Sequence, residues 1–153
     1  MKGKKRVLGV DSLGNLQEAE VCAANTADCA CGERLVRGRR GDYPRLRAVL
    51  TDQGFDRGGL DRVVAAELGC PLDVLRRAPG RRGFAAEPVR WVVEQAIACL
   101  GRNRRLSRDY EYENDCSRAF LLLASISRSL KRLTAQPRDP EDKSWKPRPM
   151  HLI

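Results

Sequence analysis

Leu46-Arg47-Ala48-Val49-Leu50-Thr51-Asp52-Gln53-Gly54-Phe55-Asp56 is the stretch on which the fold class turns. A short apolar run closed by an Asp/Gly turn reads as a β-strand. Beyond it Leu60, Val63, Val64, Glu67 and Leu68 recur at helical spacing, and Gly69 is a natural stop because glycine tolerates the left-handed C-terminal conformation. Leu72-Asp73-Val74-Leu75 then reads as another short strand. Strand–helix alternation of this kind belongs to α/β proteins.

Toward the N-terminus, Val7-Leu8-Gly9-Val10 and the partly alternating Leu16–Ala23 flank the turn Asp11-Ser12-Leu13-Gly14-Asn15, predicting a β-hairpin. Residues 28–41 stay open: Leu35 and Val36 are apolar, while Gly32, Gly38 and Gly41 weaken a helix. Pro44 breaks the chain. Toward the C-terminus, Arg76-Arg77-Ala78-Pro79-Gly80-Arg81-Arg82-Gly83 forms a basic loop. Pro88 opens a helix whose stripe is Trp91, Val92, Ile97 and Leu100, ending near Gly101 beside Arg102, Arg104, Arg105 and Arg108. A last helix begins near Asn114 or Asp115, with Ala119, Leu122, Leu123, Ile126, Leu130 and Leu133 as its apolar positions. The expectation is a mixed sheet flanked by helices, with a domain over 1–133 and a disordered tail over 134–153, where Pro, Asp, Lys and Arg dominate.

The 153 residues suit a single core. Twenty-nine Lys and Arg against 20 Asp and Glu give a net charge of +9, which favours a polyanionic partner. Ribosomal and other Arg-rich proteins share that balance. Aromatic residues are only 5% and no run of them forms a base-stacking platform. The six cysteines contain no C-x-x-C pair, and the single histidine is His151, so a structural zinc site has little support. With no signal peptide and no long apolar run, the reading is a cytoplasmic protein with reduced thiols and no membrane partner.

Two carboxylates carry candidate chemistry. Asp52 closes a strand at its C-terminal end, where α/β sheets place functional groups, and Glu94 lies in the helix opened by Pro88. Carboxylates so placed can share a divalent metal, since magnesium takes oxygen ligands and keeps some of its waters. Each has a plainer reading: Asp52 caps its turn, and Glu94 pairs with Arg90 on a solvated face.

Pro88-Val89-Arg90-Trp91-Val92-Val93-Glu94, with Cys99-Leu100-Gly101-Arg102-Asn103-Arg104-Arg105-Leu106-Ser107-Arg108-Asp109-Tyr110-Glu111, resembles the segment around the catalytic glutamate of DDE-class insertion-sequence transposases. Thr51-Asp52-Gln53-Gly54-Phe55-Asp56 resembles the segment of the second catalytic aspartate. Gly3–Arg6 through Val10–Gly14 resembles the second strand and its turn, and Ala23-Ala24-Asn25-Thr26-Ala27-Asp28 the end of the third strand. The resemblance runs from residue 3 to about 133. It implies a truncated ribonuclease-H-like fold whose first strand, bearing the first aspartate, lies upstream of Met1. It further implies Asp52 and Glu94 as catalytic metal ligands for Mg2+ or Mn2+, with Arg90, Arg102, Arg104 and Arg105 on transposon-end DNA. The cations near the helix end are also favoured there by the helix dipole.

The chain departs from the family pattern where Gln95-Ala96-Ile97-Ala98-Cys99 replaces an aromatic-rich helix. Asp11 is spaced 41 residues before Asp52, much as Asp52 is from Glu94, but its place in Asp-Ser-Leu-Gly-Asn marks a turn former. With one carboxylate short, the expectation is a partial domain inactive alone, completed by an upstream-frame polypeptide supplying the first aspartate. The alternatives are a degenerate remnant and a non-catalytic basic nucleic-acid-binding protein.

Overall fold

The computed structural model describes residues 3–56, 58–76 and 88–135. Strands β1 (Lys4–Val10) and β2 (Leu16–Ala23) form an antiparallel hairpin, with an irregularity between Gly9 and Val10. Helix α1 (Asp28–Val36) follows, then strand β3 (Val49–Thr51), a 3-10 turn over Gln53–Phe55, helix α2 (Leu60–Leu68) and strand β4 (Leu72–Val74). Helix α3 (Pro88–Gly101), a second 3-10 turn over Arg104–Leu106 and helix α4 (Asn114–Thr134) complete the described chain.

Side chains alternate across a strand, so β1 has two faces with different tenants. On one face Lys4 donates to the Glu111 carbonyl and the Ser117 hydroxyl, Arg6 donates to the Leu106 carbonyl, and Leu8 packs on the core beneath α4. On the other, Lys5 donates to the Thr26 carbonyl and to Asp28, and Gly9 lies against Leu35 of α1. The hairpin is therefore the middle layer between α1 and the α3/α4 pair.

Two apolar clusters result. Ala19 and Val21 of β2 pack with Leu100, Leu106 and Leu121. Cys29, Val36, Leu60, Val64 and Cys70 form a second cluster where α1 meets α2, with Val49 and Leu72 against it. Gly32, read from sequence as a weak point in a helix, is what allows that meeting: a β-carbon there would come within 2.9 Å of Leu60 and 3.2 Å of Phe55. Gly69 ends α2 with φ of 68°, the expected left-handed stop.

Several expectations need correction. The strands of the described residues do not join into one mixed sheet; β1–β2 is antiparallel, β3–β4 is parallel, and the two pairs are separate. The first of these parallel strands begins only at Val49, so Leu46–Ala48 lie outside it. Among the described side chains of α3 the buried ones are Ala96 and Leu100, whereas Trp91 and Ile97 are exposed. In α4 Ser117 and Leu121 face inward, and Leu123, Ile126, Leu130 and Leu133 face out. The α/β class itself holds. Cys22 of β2 and Cys31 of α1, both fully buried, bring their sulfur atoms together where the two elements pack. The basic loop lies outside the described residues beyond Arg76, as does the tail beyond Ala135.

Gly32→Ala puts a methyl group where Leu60 and Phe55 already sit. Overpacking of this kind costs about 1–3 kcal/mol despite alanine's better helix propensity, and chemical denaturation should record that loss. A neutral or stabilising effect would mean that α1 and α2 are not in close contact.

Candidate active site and arginine cluster

Asp52 stands at the C-terminal end of β3, as its sequence position implied. Its carboxylate accepts the Gly54 N–H at 3.1 Å and so caps the 3-10 turn. The side chain is exposed. A second carboxylate shares this corner. A β-carbon on Gly54 would lie 2.6 Å from a carboxylate oxygen of Asp28 and 3.2 Å from one of Asp52, so the two acids flank one glycine. Asp28 sits in the first turn of α1 and forms a 2.6 Å ion pair with Lys5. Beside them Gln53, Gly54, Asp56 and Arg76 line a shallow depression, with the Arg76 guanidinium 2.9 and 3.1 Å from the Asp56 carboxylate oxygens.

Glu94 is elsewhere. Successive residues of an α-helix turn by about 100°, which puts Glu94 on the far side of α3 from the buried Ala96 and Leu100. It is exposed and has no hydrogen-bond or ion-pair partner among the described residues. α3 packs on the α4 face of the hairpin, with Val92 against Gly14 at the hairpin turn and Leu100 in the core under β2. Asp52 and Asp28 belong to the α1 face, at the Lys5 end of β1. Asp52 and Glu94 are thus carried by elements that join different apolar clusters, β3 the one between α1 and α2 and α3 the one under β2. Among the described residues no three His, Cys, Asp or Glu side chains gather in a way that could hold a metal ion.

Asp11 is a turn former. Its carboxylate accepts the Leu13 and Asn15 backbone N–H groups at 2.9 and 2.8 Å, and the side-chain amides of Asn15 and Gln17. Burial alone would raise its pKa, but the Asn15 and Leu13 hydrogen bonds, with the nearby Arg132 charge, outweigh burial and hold the carboxyl below its ordinary value. Asp109 follows the same pattern. Burial opposes ionisation, and the Ser117 hydroxyl, the Glu111 N–H, Lys4 and Arg6 overcome it.

The arginines divide by what they touch. Arg105 bonds Glu111 at 2.8 Å and stacks over Phe120 at 4.9 Å and Tyr110 at 6.0 Å, so its guanidinium is already engaged. Arg102 and Arg104 are exposed and have no partner among the described residues. The Arg90 side chain lies outside the described residues. The residues that sequence reasoning missed are Asp28 and Lys5: Asp28 was legible only as the end of a strand motif, and its approach to Asp52 depends on how α1 docks.

No helix among the described residues is long and apolar enough to cross a membrane. Comparison with curated proteins and with solved structures finds no match.

The Asp11 carboxyl ionises more easily in the folded chain than in the unfolded one. Its contribution is therefore complete above the ordinary carboxylate pKa and is lost as pH falls through the lower folded value. Asp11→Asn should cost about 1 kcal/mol near neutrality and make the stability of the variant less sensitive to acid than that of the parent. Thermal melts between neutral pH and the acid limb measure both; parallel acid curves would remove Asp11 from this role.

The family described as transposase DDE domain has a profile that matches residues 1–128. That span contains the hairpin, both short parallel strands, Asp52, Glu94 and the arginine cluster, and its function is transposition-related. The chain belongs to the transposase DDE domain family.

Proposed function

We propose that this chain serves DNA transposition as a partial DDE domain: it holds DNA through its arginines and does not cut or join DNA by itself. The observation that carries this reading is the absence of a three-carboxylate cluster among the described residues, with Asp52 and Glu94 on elements that join different apolar clusters. DDE domains generally use divalent cations. Two dications need several anionic oxygens to replace lost hydration, and the described residues do not supply them in one place. No chemical step is therefore assigned to this chain alone.

The sheets support a way of completing the domain. β1 pairs only with β2, and β3 only with β4, so each of β1 and β3 keeps one edge unpaired among the described residues. Unpaired edges are templates for a further strand. A strand laid between them would satisfy both edges and join the pairs into one mixed, ribonuclease-H-like sheet. Such a strand could bring a third carboxylate toward Asp52 and let Glu94 join them. An upstream-frame polypeptide is one source of it. Magnesium or manganese would belong to that completed assembly, and the chain would work in the cytoplasm.

DNA contact falls to Arg90, Arg102 and Arg104, the last two with guanidinium forks exposed and unengaged among the described residues, and less to Arg105, which Glu111 already engages. Fork-shaped donors suit phosphate oxygens.

Two measurements test these points. In gel-shift titrations on insertion-sequence ends, the double variant Arg102→Ala/Arg104→Ala should bind more weakly. Each lost phosphate contact lowers the slope of log affinity against log salt by about 0.9, so the slope should fall by about 2. In a nicking assay with magnesium or manganese the chain alone should be inert. Addition of a polypeptide carrying the first-aspartate strand should give cleavage that Asp52→Asn abolishes. Robust cleavage by the chain alone that depends on Asp52 would overturn the proposal.

A further inference from the structure

Helix α1 ends at Val36 and β3 begins at Val49, so residues 37–48 are a connection of 12 residues without helix or strand. Connections in compact domains commonly take about 4–6 residues, and longer ones held in place on a scaffold often carry binding sites. Its first eleven residues read Arg37-Gly38-Arg39-Arg40-Gly41-Asp42-Tyr43-Pro44-Arg45-Leu46-Arg47. They hold five arginines, no lysine and one carboxylate.

Two of these arginines are spent inside the chain. Arg37 pairs with Glu33, one turn back on α1, at 3.0 Å. Arg39 pairs with Glu18 of β2 at 2.9 Å, and the Tyr43 hydroxyl donates to the other oxygen of the same carboxylate at 3.0 Å. The Gly38 N–H donates to Glu67 of α2 at 3.1 Å. Turns from the Asp42 N–H to the Arg39 carbonyl and from the Leu46 N–H to the Tyr43 carbonyl fold the segment between these anchors. The loop is therefore fastened to β2 and α2 without being covered by them. Gly38 and Gly41 adopt left-handed backbone with φ of 72° and 85°, and nothing among the described residues lies within 4 Å of where their β-carbons would stand.

Arg40, Arg45 and Arg47 are left exposed, with no partner among the described residues. Three like charges on one anchored loop repel one another unless a polyanion offsets them. The choice of arginine throughout favours phosphate, because planar forks match phosphate oxygens better than an ammonium does. The loop is neither a helix nor a two-stranded ribbon, the shapes that enter a major groove, and its one aromatic hydroxyl is committed to Glu18. Its chemistry is that of a backbone contact without base readout.

We propose that residues 37–47 form a sequence-independent DNA-backbone contact in which Arg40, Arg45 and Arg47 each engage a phosphate. This rests on the reading that the chain holds DNA, but on different side chains from those given above. The Arg104–Leu106 turn is fastened to β1 through Arg6, whereas this loop is fastened to β2 at Glu18, which lies opposite Gly9, three residues further along β1.

The test is fluorescence anisotropy of the full chain on two labelled duplexes of equal length, one an insertion-sequence end and one of scrambled sequence, across a salt series. Arg40→Gln/Arg45→Gln/Arg47→Gln should weaken both duplexes alike and lower the slope of log affinity against log salt by about 2.7, at about 0.9 per lost phosphate contact. Its circular dichroism should be unchanged, since the three side chains touch nothing in the chain. The corresponding triple lysine variant, which keeps the charge, should keep the slope. A glutamine variant with the wild-type slope, or a loss confined to the insertion-sequence end, would overturn the proposal. So would poly-glutamate of equal charge binding the wild-type chain as tightly as the duplexes and losing affinity in parallel with them, which would make the partner an acidic protein surface. If the glutamine variant binds normally while Arg102→Ala/Arg104→Ala is weakened, this inference fails alone; if the wild-type chain binds neither duplex, both readings fail.

Discussion

Successive side chains of β1 must point to opposite faces, and in this chain both faces are occupied by different helices. Lys4, Arg6 and Leu8 look toward α4 and the Arg104–Leu106 turn. Lys5 and Gly9 look toward α1. A one-residue slip in the hairpin would exchange the two sets, burying the wrong charges against the wrong helices. The buried contact of Cys22 with Cys31 and the polar contacts of Lys4 and Lys5 fix the same register from both sides. Everything functional is placed by that layer, since Asp28 and Asp52 are reached through α1 and Glu94 through α3.

This division decides which of the family's motif residues come together. Motif order is a property of the backbone path, whereas a metal centre needs side-chain oxygens to meet. Here the β3–β4 pair docks through α1 and α2, and α3 docks on the other face of the hairpin. Asp52 meets Asp28 across Gly54. The open edges of β1 and β3 are the same fact seen from the sheet: the strand pairs touch a common helix without touching each other through hydrogen bonds.

Much of the secondary structure was legible in the sequence. The alternation of Leu16–Ala23 and the Asp11–Asn15 turn gave the hairpin, Gly69 gave the end of α2, and Pro88 gave the start of α3. Residues 28–36 were not legible as a helix because Gly32 argues locally against one, while its reason for being there is the approach of Leu60 and Phe55 from another helix. The buried face of α4 was misread for a related cause. Two apolar stripes share one helix, and periodicity cannot say which is covered by its own chain; Ser117 and Leu121 are, and Ile126 and Leu130 are not. The family was legible from ordered motifs, and residues 1–128 match it. The pairing of Asp52 with Asp28 was not, because it depends on tertiary docking that no local pattern encodes.

The separation of Asp52 from Glu94 is the central claim, and paramagnetic relaxation by substoichiometric Mn2+ reads it directly. In an amide correlation spectrum of the chain alone, any line broadening around Gln53 and Gly54 should leave the amides flanking Glu94 sharp. Broadening of both groups together, abolished by Asp52→Asn, would place the two carboxylates on one cation and contradict the account.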